Sequence, residues 1–93
     1  MMIGTIKHRG LKRLYERGDR SKVPAEYADK LENILFVLDT ALIIEAVDMP
    51  GFRLHPLKGD LKGFWSITVR ANWRVIFRFE NGQALDVDLV DYH

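Results

Sequence analysis

Residues 66–79 read SITVRANWRVIFRF, and the fold turns on how that run is parsed. Ile67 and Val69 precede a polar break at Arg70-Ala71-Asn72, and Trp73, Val75, Phe77 and Phe79 follow it, all at every second position. That is the period of strands with one buried face, so the run predicts two strands and a tight turn. Arg70, Arg74 and Arg78 interrupt the apolar series and pose a question: what negative partner does each meet?

Register follows from the need for facing residues to share a side of the sheet. A loop of Arg70-Ala71-Asn72 pairs Val69 with Trp73 and Ile67 with Val75, with Asn72 tolerating positive φ. Downstream, Leu85, Val87 and Leu89 form the next alternating strand. A two-residue loop at Asn81-Gly82 would set Phe77 against Asp86, a carboxylate on a phenyl ring. A three-residue loop, Glu80-Asn81-Gly82, instead pairs Phe77 with Leu85 and Val75 with Val87, with Gly82 left-handed. The polar face then carries Thr68, Arg74, Arg78, Asp86 and Asp88, and Arg70 sits at a hairpin tip. Upstream, Trp65 alternates with Ser66, and Phe52 and Leu54 alternate with Arg53 and His55, which places His55 on the polar side of its strand. The same alternation makes Trp65 and Trp73 core residues rather than base-stacking platforms.

The period changes to that of helices before residue 48. HRGLKRLYERGD puts Leu11, Leu14 and Tyr15 on one stripe ringed by Lys12, Arg13 and Arg17, with His8 at the helix start and Gly18 as the stop. A second helix opens at Pro24 and buries Tyr27, Leu31, Ile34, Leu35 and Leu38. ALIIEAV, residues 41–47, lacks alternation and reads as a short buried helix closed by Met49-Pro50-Gly51. Met2 to Lys7 reads as an edge or first strand. The expected fold is α+β: an N-terminal strand and helices packed on one face of a C-terminal antiparallel sheet.

At 93 residues the chain is expected to form one domain. With no cysteine it has neither a disulfide framework nor a thiolate metal site, and no apolar run reaches the twenty residues needed to span a bilayer. MMIGTIKHRG meets charge too early for a secretion signal, so a soluble, cytoplasmic protein with no membrane partner is expected. The net charge of +1 hides four blocks of alternating sign: +5 over residues 1–22, −5 over 23–49, +5 over 50–78 and −4 over the rest. Such segregation yields either packed elements that neutralise one another or a surface that binds anions.

On the polar face the bland reading pairs Arg78 with Asp86 and Arg74 with Asp88 across strands. Arg74 has further company. His55 is followed by LKGDLKG, a glycine-bearing loop with Lys58 and Lys62, and the last strand delivers Asp91, Tyr92 and His93 beside the strand of Arg74. Two imidazoles, a phenol, a carboxylate and several cations suffice to cut RNA without a metal or other cofactor. The 2′-OH must lose a proton as it attacks phosphorus, the 5′ oxygen must gain one, and the phosphorane needs positive charge. Histidine exchanges protons near neutrality, and arginine offers paired donors to phosphate.

RLHPLKGDLKGFWSITVRANWRVIFRF, with DYH at the terminus, resembles the HigB (host inhibition of growth) toxins of the RelE/ParE superfamily. The likeness extends to KHRGLKRLYERG and VPAEYADKL and is weakest over residues 41–50. It implies a microbial-ribonuclease-like fold and a ribosome-dependent mRNA endonuclease, restrained by a helix-turn-helix antitoxin of the HigA type. His55, Arg74, Asp91, Tyr92 and His93 would be catalytic; Lys58, Arg70 and Asn72 would hold the message backbone. A gyrase-poisoning toxin of the ParE type and a non-catalytic RNA-binding module are the alternatives, and neither needs proton-transfer residues.

Overall fold

The structure, a computed structural model, describes residues 3–91. Helix α1, Arg9–Arg17, opens on His8, whose ring Nδ1 accepts the Leu11 N–H at 3.1 Å. It closes on Gly18 at φ 67, as the glycine stop predicts. Gly10 is where the helix start meets the chain ahead of α2: a Cβ there would lie 2.2 Å from the Lys22 carbonyl oxygen. Past Pro24, a single 3₁₀ turn over Ala25–Tyr27 leads into α2, Ala28–Thr40. Its buried Leu31, Ile34, Leu35 and Leu38 are four of the five stripe residues read from the sequence; the fifth, Tyr27, lies in the 3₁₀ turn and is half-buried.

Four antiparallel strands follow in the order β1-β2-β3-β4: β1 His55–Pro56, β2 Phe64–Arg70, β3 Trp73–Glu80 and β4 Gln83–Asp91. Residues 3–7 lie parallel to the free edge of β4, with Gly4 N–H on Ala84 O at 2.8 Å and Lys7 N–H on Val87 O at 2.7 Å. This edge role is the one expected, made by isolated bridges rather than a full ladder. The helices cover the sheet face formed by Ile67, Val69, Val75, Phe77, Val87 and Leu89, all buried with Leu11, Leu14 and the α2 stripe in one core. The α+β architecture is the one read from periodicity. Trp65 and Trp73 pack partly buried against this core, Trp73 6.5 Å from the Tyr27 ring.

Both hairpins depart from the registers expected above. Each turn has two residues: Arg70 pairs with Trp73 across Ala71-Asn72, and Glu80 pairs with Gln83 across Asn81-Gly82. At the second turn Asn81 and Gly82 both have positive φ, 52 and 75, the mirror-image turn that suits twisted strands. The conflict between Phe77 and Asp86 is met within β4 by a bulge. Ile76 pairs with Asp88 and Arg78 with Leu85, leaving Asp86 and Val87 opposite Phe77 alone. Asp86 takes φ 52 and turns aside, Val87 enters the core, and the Asp86 N–H finds Thr5 Oγ1 at 2.8 Å. The pairs Phe77–Leu85 and Val75–Val87 are therefore replaced, Val75 facing Leu89. In the first hairpin a bulge at Val69 restores the expected pairing of Ile67 with Val75, and positive φ falls on Ala71, at 50, instead of Asn72.

Two further expectations are corrected. ALIIEAV forms a 3₁₀ turn over Ile44–Val47; Ala41 and Val47 are buried but Leu42 and Ile43 are exposed, because seven residues are too few to wrap a stripe around. The strand read from Phe52 to His55 shrinks to His55–Pro56, since Arg53 at φ 51 breaks the extended backbone.

Candidate active site

The pairing registers assemble the open face of the sheet in rows. His55, Ser66, Ile76 and Asp88 form one row across all four strands, and Thr68, Arg74 and Val90 form the next. From strand spacing and rise, the Cα atoms of His55 and Arg74 lie about 12 Å apart on the same side. The two residues thus lie on one side of the sheet, two strands apart. The row centre is dry: Ser66 is 2% exposed and Ile76 7%. The polar side chains expected on this face therefore flank a buried centre, because β2 and β3 are the inner strands.

His55 is exposed, and its Nδ1 lies 2.9 Å from the Arg53 carbonyl oxygen. A carbonyl can only accept, so Nδ1 carries the proton and Nε2 is the nitrogen that gives and takes one. His8 is the mirror case: its Nδ1 accepts a backbone N–H, so its lone pair is committed to capping α1.

Arg74 is half-buried at the base of the β2–β3 turn. Its guanidinium donates to the carbonyls of Ala71 and of Trp73, the latter at 3.0 Å. No ion pair joins it to a carboxylate among the described residues, so the expected bland pairing with Asp88 is absent there. Arg78 behaves as the bland reading holds: Nε donates to Asp86 at 2.9 Å and Nη1 to Glu80. The hydrogen bond from Arg78 Nε, with the arginine's charge, holds the Asp86 carboxyl below the usual carboxylate range.

Arg53 and Ala71 therefore share an unexpected feature. Each holds left-handed backbone that neither side chain favours, and each turns its carbonyl onto a candidate catalytic side chain. No residue type announces this in the sequence, since the contact is made by backbone.

Arg70 and Asn72 are exposed on the β2–β3 hairpin near Arg74, and Lys58 is exposed in the loop after β1. Asp91 ends β4 opposite Trp73, one position beyond the pair of Arg74 with Val90. By alternation it shares the side of Leu89 rather than that of Arg74, at the exposed end of the sheet. Tyr92 and His93 lie outside the described residues.

No helix of the described residues is long and apolar enough to cross a membrane. Residues 4–93 match the family model for the RelE-like toxin of the type II toxin-antitoxin system HigB. The chain is 50% identical over 92 residues to a Proteus vulgaris protein named endoribonuclease HigB, covering 99% of this chain and all of that one. It is 34% identical over 86 residues to toxin HigB-1 of Vibrio cholerae serotype O1, covering 90% of each.

Proposed function

The chain belongs to the HigB-like family of RelE-like toxins from type II toxin-antitoxin systems, and from that premise we propose that it is an endoribonuclease that cuts messenger RNA in the ribosomal A site and so arrests translation and growth. The observation that carries this reading is the placing of His55 and Arg74 on one face of the sheet, each steered by a backbone carbonyl. The relative named an endoribonuclease supports the same chemistry.

In the proposed reaction the 2′ oxygen passes its proton to a side-chain base and attacks phosphorus. The bond from phosphorus to the 5′ oxygen breaks, and a side-chain acid protonates that leaving oxygen. The products are a 2′,3′-cyclic phosphate and a 5′-hydroxyl. His55 exchanges its proton at Nε2; Asp91, Tyr92 and His93 supply the other protic groups. Arg74 offsets charge on the phosphorane, worth on the order of 10²–10³ in rate for one such donor. Lys58, Arg70 and Asn72 hold the message backbone.

The ribosome supplies orientation in this scheme, and the toxin works in the cytoplasm, restrained by a helix-turn-helix antitoxin of the HigA type. Incubation in a translation extract, followed by mapping of message ends, tests the scheme. Wild-type chain should cut translating message and spare naked RNA, and His55→Ala and Arg74→Ala should cut translating message at least about 100-fold more slowly. Intact message together with DNA cleaved in the presence of gyrase would instead assign the chain to gyrase poisoning.

A further inference from the structure

We infer that the outer face of α1 is a second RNA-binding surface, which grips the phosphate backbone of a double-helical RNA segment from the layer of the molecule opposite the candidate active site. The inference rests on the reading that the target is RNA. Arg9, Arg13 and Arg17 recur at intervals of four and so stand in one row, successive side chains about 6 Å apart along the axis. Lys12 flanks the row. All four cations are exposed, and with Glu16 they line a shallow depression of about 310 Å³.

The row is set against the stability of its own helix. Like charges at i and i+4 repel, and the first turn of α1, at the positive end of the dipole, holds Arg9 and Lys12 and no acid. Little within the chain offsets this: among the described residues the only ion pair from the row is Arg13 with Asp19, at 3.6 Å. Arg20, just past the helix, shows what internal neutralisation looks like here, since Asp29 and Glu32 both grip it.

The chemistry of the face selects the occupant. Leu11 and Leu14 are spent in the core, and Tyr15 is tied to Asp39 at 2.5 Å. The exposed residues of α1 are therefore all charged: Arg9, Lys12, Arg13, Glu16 and Arg17. A protein partner needs apolar or aromatic anchors at the centre of its interface, and this face offers none. A single strand is held largely by stacking on aromatic rings, also absent from this face. A duplex backbone needs only a straight row of cations. Because α1 belongs to the helical layer, a strand lying across the open face cannot also cover it. The toxin would then bridge two RNA segments, one cut and one held.

The test uses the full chain carrying His55→Ala, so that bound RNA survives, and a fluorescent 16-base-pair RNA duplex read by anisotropy over a range of KCl. Duplex DNA and single-stranded RNA of the same sequence serve as comparison probes. Adding Arg9→Gln, Lys12→Gln and Arg17→Gln should lower the log–log salt slope by about three and weaken duplex binding at least about tenfold, alike across sequences. If the triple variant loses its circular dichroism signal, Arg9→Gln alone should lower the slope by about one. An unchanged slope, or tighter binding of either comparison probe than of the RNA duplex, overturns the inference. Neither result touches the cleavage assays on His55 and Arg74, so this inference and the assignment of the cutting site fail separately.

Discussion

Arg74 and Arg78 stand four residues apart on β3, on the same side of the sheet, and meet opposite surroundings. Asp86 and Glu80 neutralise Arg78, whereas Arg74 is steered by the carbonyls of Ala71 and Trp73, which orient a guanidinium without cancelling its charge. His8 and His55 repeat the contrast. One imidazole spends its Nδ1 lone pair on a helix start, and the other anchors its Nδ1 proton on a carbonyl and presents Nε2. Residue type is the same within each pair, and the two arginines also share a face of the sheet; the partner atom separates a side chain that holds the fold from one available to a substrate.

The strongest way to break this contrast is to remove the members one by one. His55→Ala should lower cleavage by about 10²–10⁴-fold, the usual range for a lost proton-transfer group, and Arg74→Ala by about 10²–10³-fold. Arg78→Ala should leave cleavage near wild type and show its cost only in a lower urea midpoint. Rates of message cleavage, set beside circular dichroism of each variant, decide the matter. An Arg78→Ala as inactive as Arg74→Ala would erase the distinction.

A subtler test acts on the backbone that steers His55. Arg53 sits at φ 51, which glycine adopts freely and a β-branched residue does not. Arg53→Val and Arg53→Gly remove the same charge, so any difference between them reports on the backbone alone. The valine variant should lose roughly 10- to 100-fold in cleavage relative to the glycine variant, the scale expected when a reacting group is displaced. Ring ¹⁵N shifts should place the neutral-state proton of His55 on Nδ1 in wild type and Arg53→Gly, and on a mixture of both nitrogens in Arg53→Val.

Much of this architecture was legible before the structure. The α2 stripe, the stop at Gly18, the capping place of His8 and the antiparallel sheet follow from periodicity and end signals that act locally. The registers were not legible, and Asp86 shows why. Alternation allowed either a two-residue turn with a buried carboxylate or a longer turn without one. The chain keeps the turn that Asn81-Gly82 favours and corrects the mismatch five residues later with a bulge whose freed N–H is taken by Thr5, 81 positions away. Local pattern carries no information about so distant a partner. The carbonyls of Arg53 and Ala71 escaped for a related reason, being backbone groups whose direction depends on φ.

Substitution of Asp86 should have a moderate effect. Asp86→Val should lower the urea midpoint, because a β-branched residue resists φ 52 and the Arg78 bond is lost; Asp86→Asn, which tolerates left-handed backbone, should lose less. The sign of the pH dependence is fixed as well. Since Arg78 depresses the Asp86 carboxyl in the folded chain, the stabilisation is complete above the ordinary carboxylate range and fades as pH falls through the lowered value. Denaturation midpoints of wild type should therefore converge on those of Asp86→Asn in acid. Tyr15 gives the alkaline counterpart: burial and the Asp39 bond push its hydroxyl up to about 12, so its contribution is intact below pH 10 and lost between there and 12.

The smallest effect falls at Ala71, where the comparison between a steered and a neutralised arginine meets the cost of steering. An L side chain at φ 50 costs about 1–2 kcal/mol, and glycine escapes that cost while gaining freedom in the unfolded chain. Ala71→Gly should therefore raise stability by about 0.5–1 kcal/mol, read from urea denaturation. If the carbonyl of Ala71 truly orients Arg74, the looser turn should also cut message a few-fold more slowly while binding it equally well. A variant that is both more stable and fully active would mean that the left-handed turn serves the hairpin alone, and that the position of Arg74 is set by its own strand.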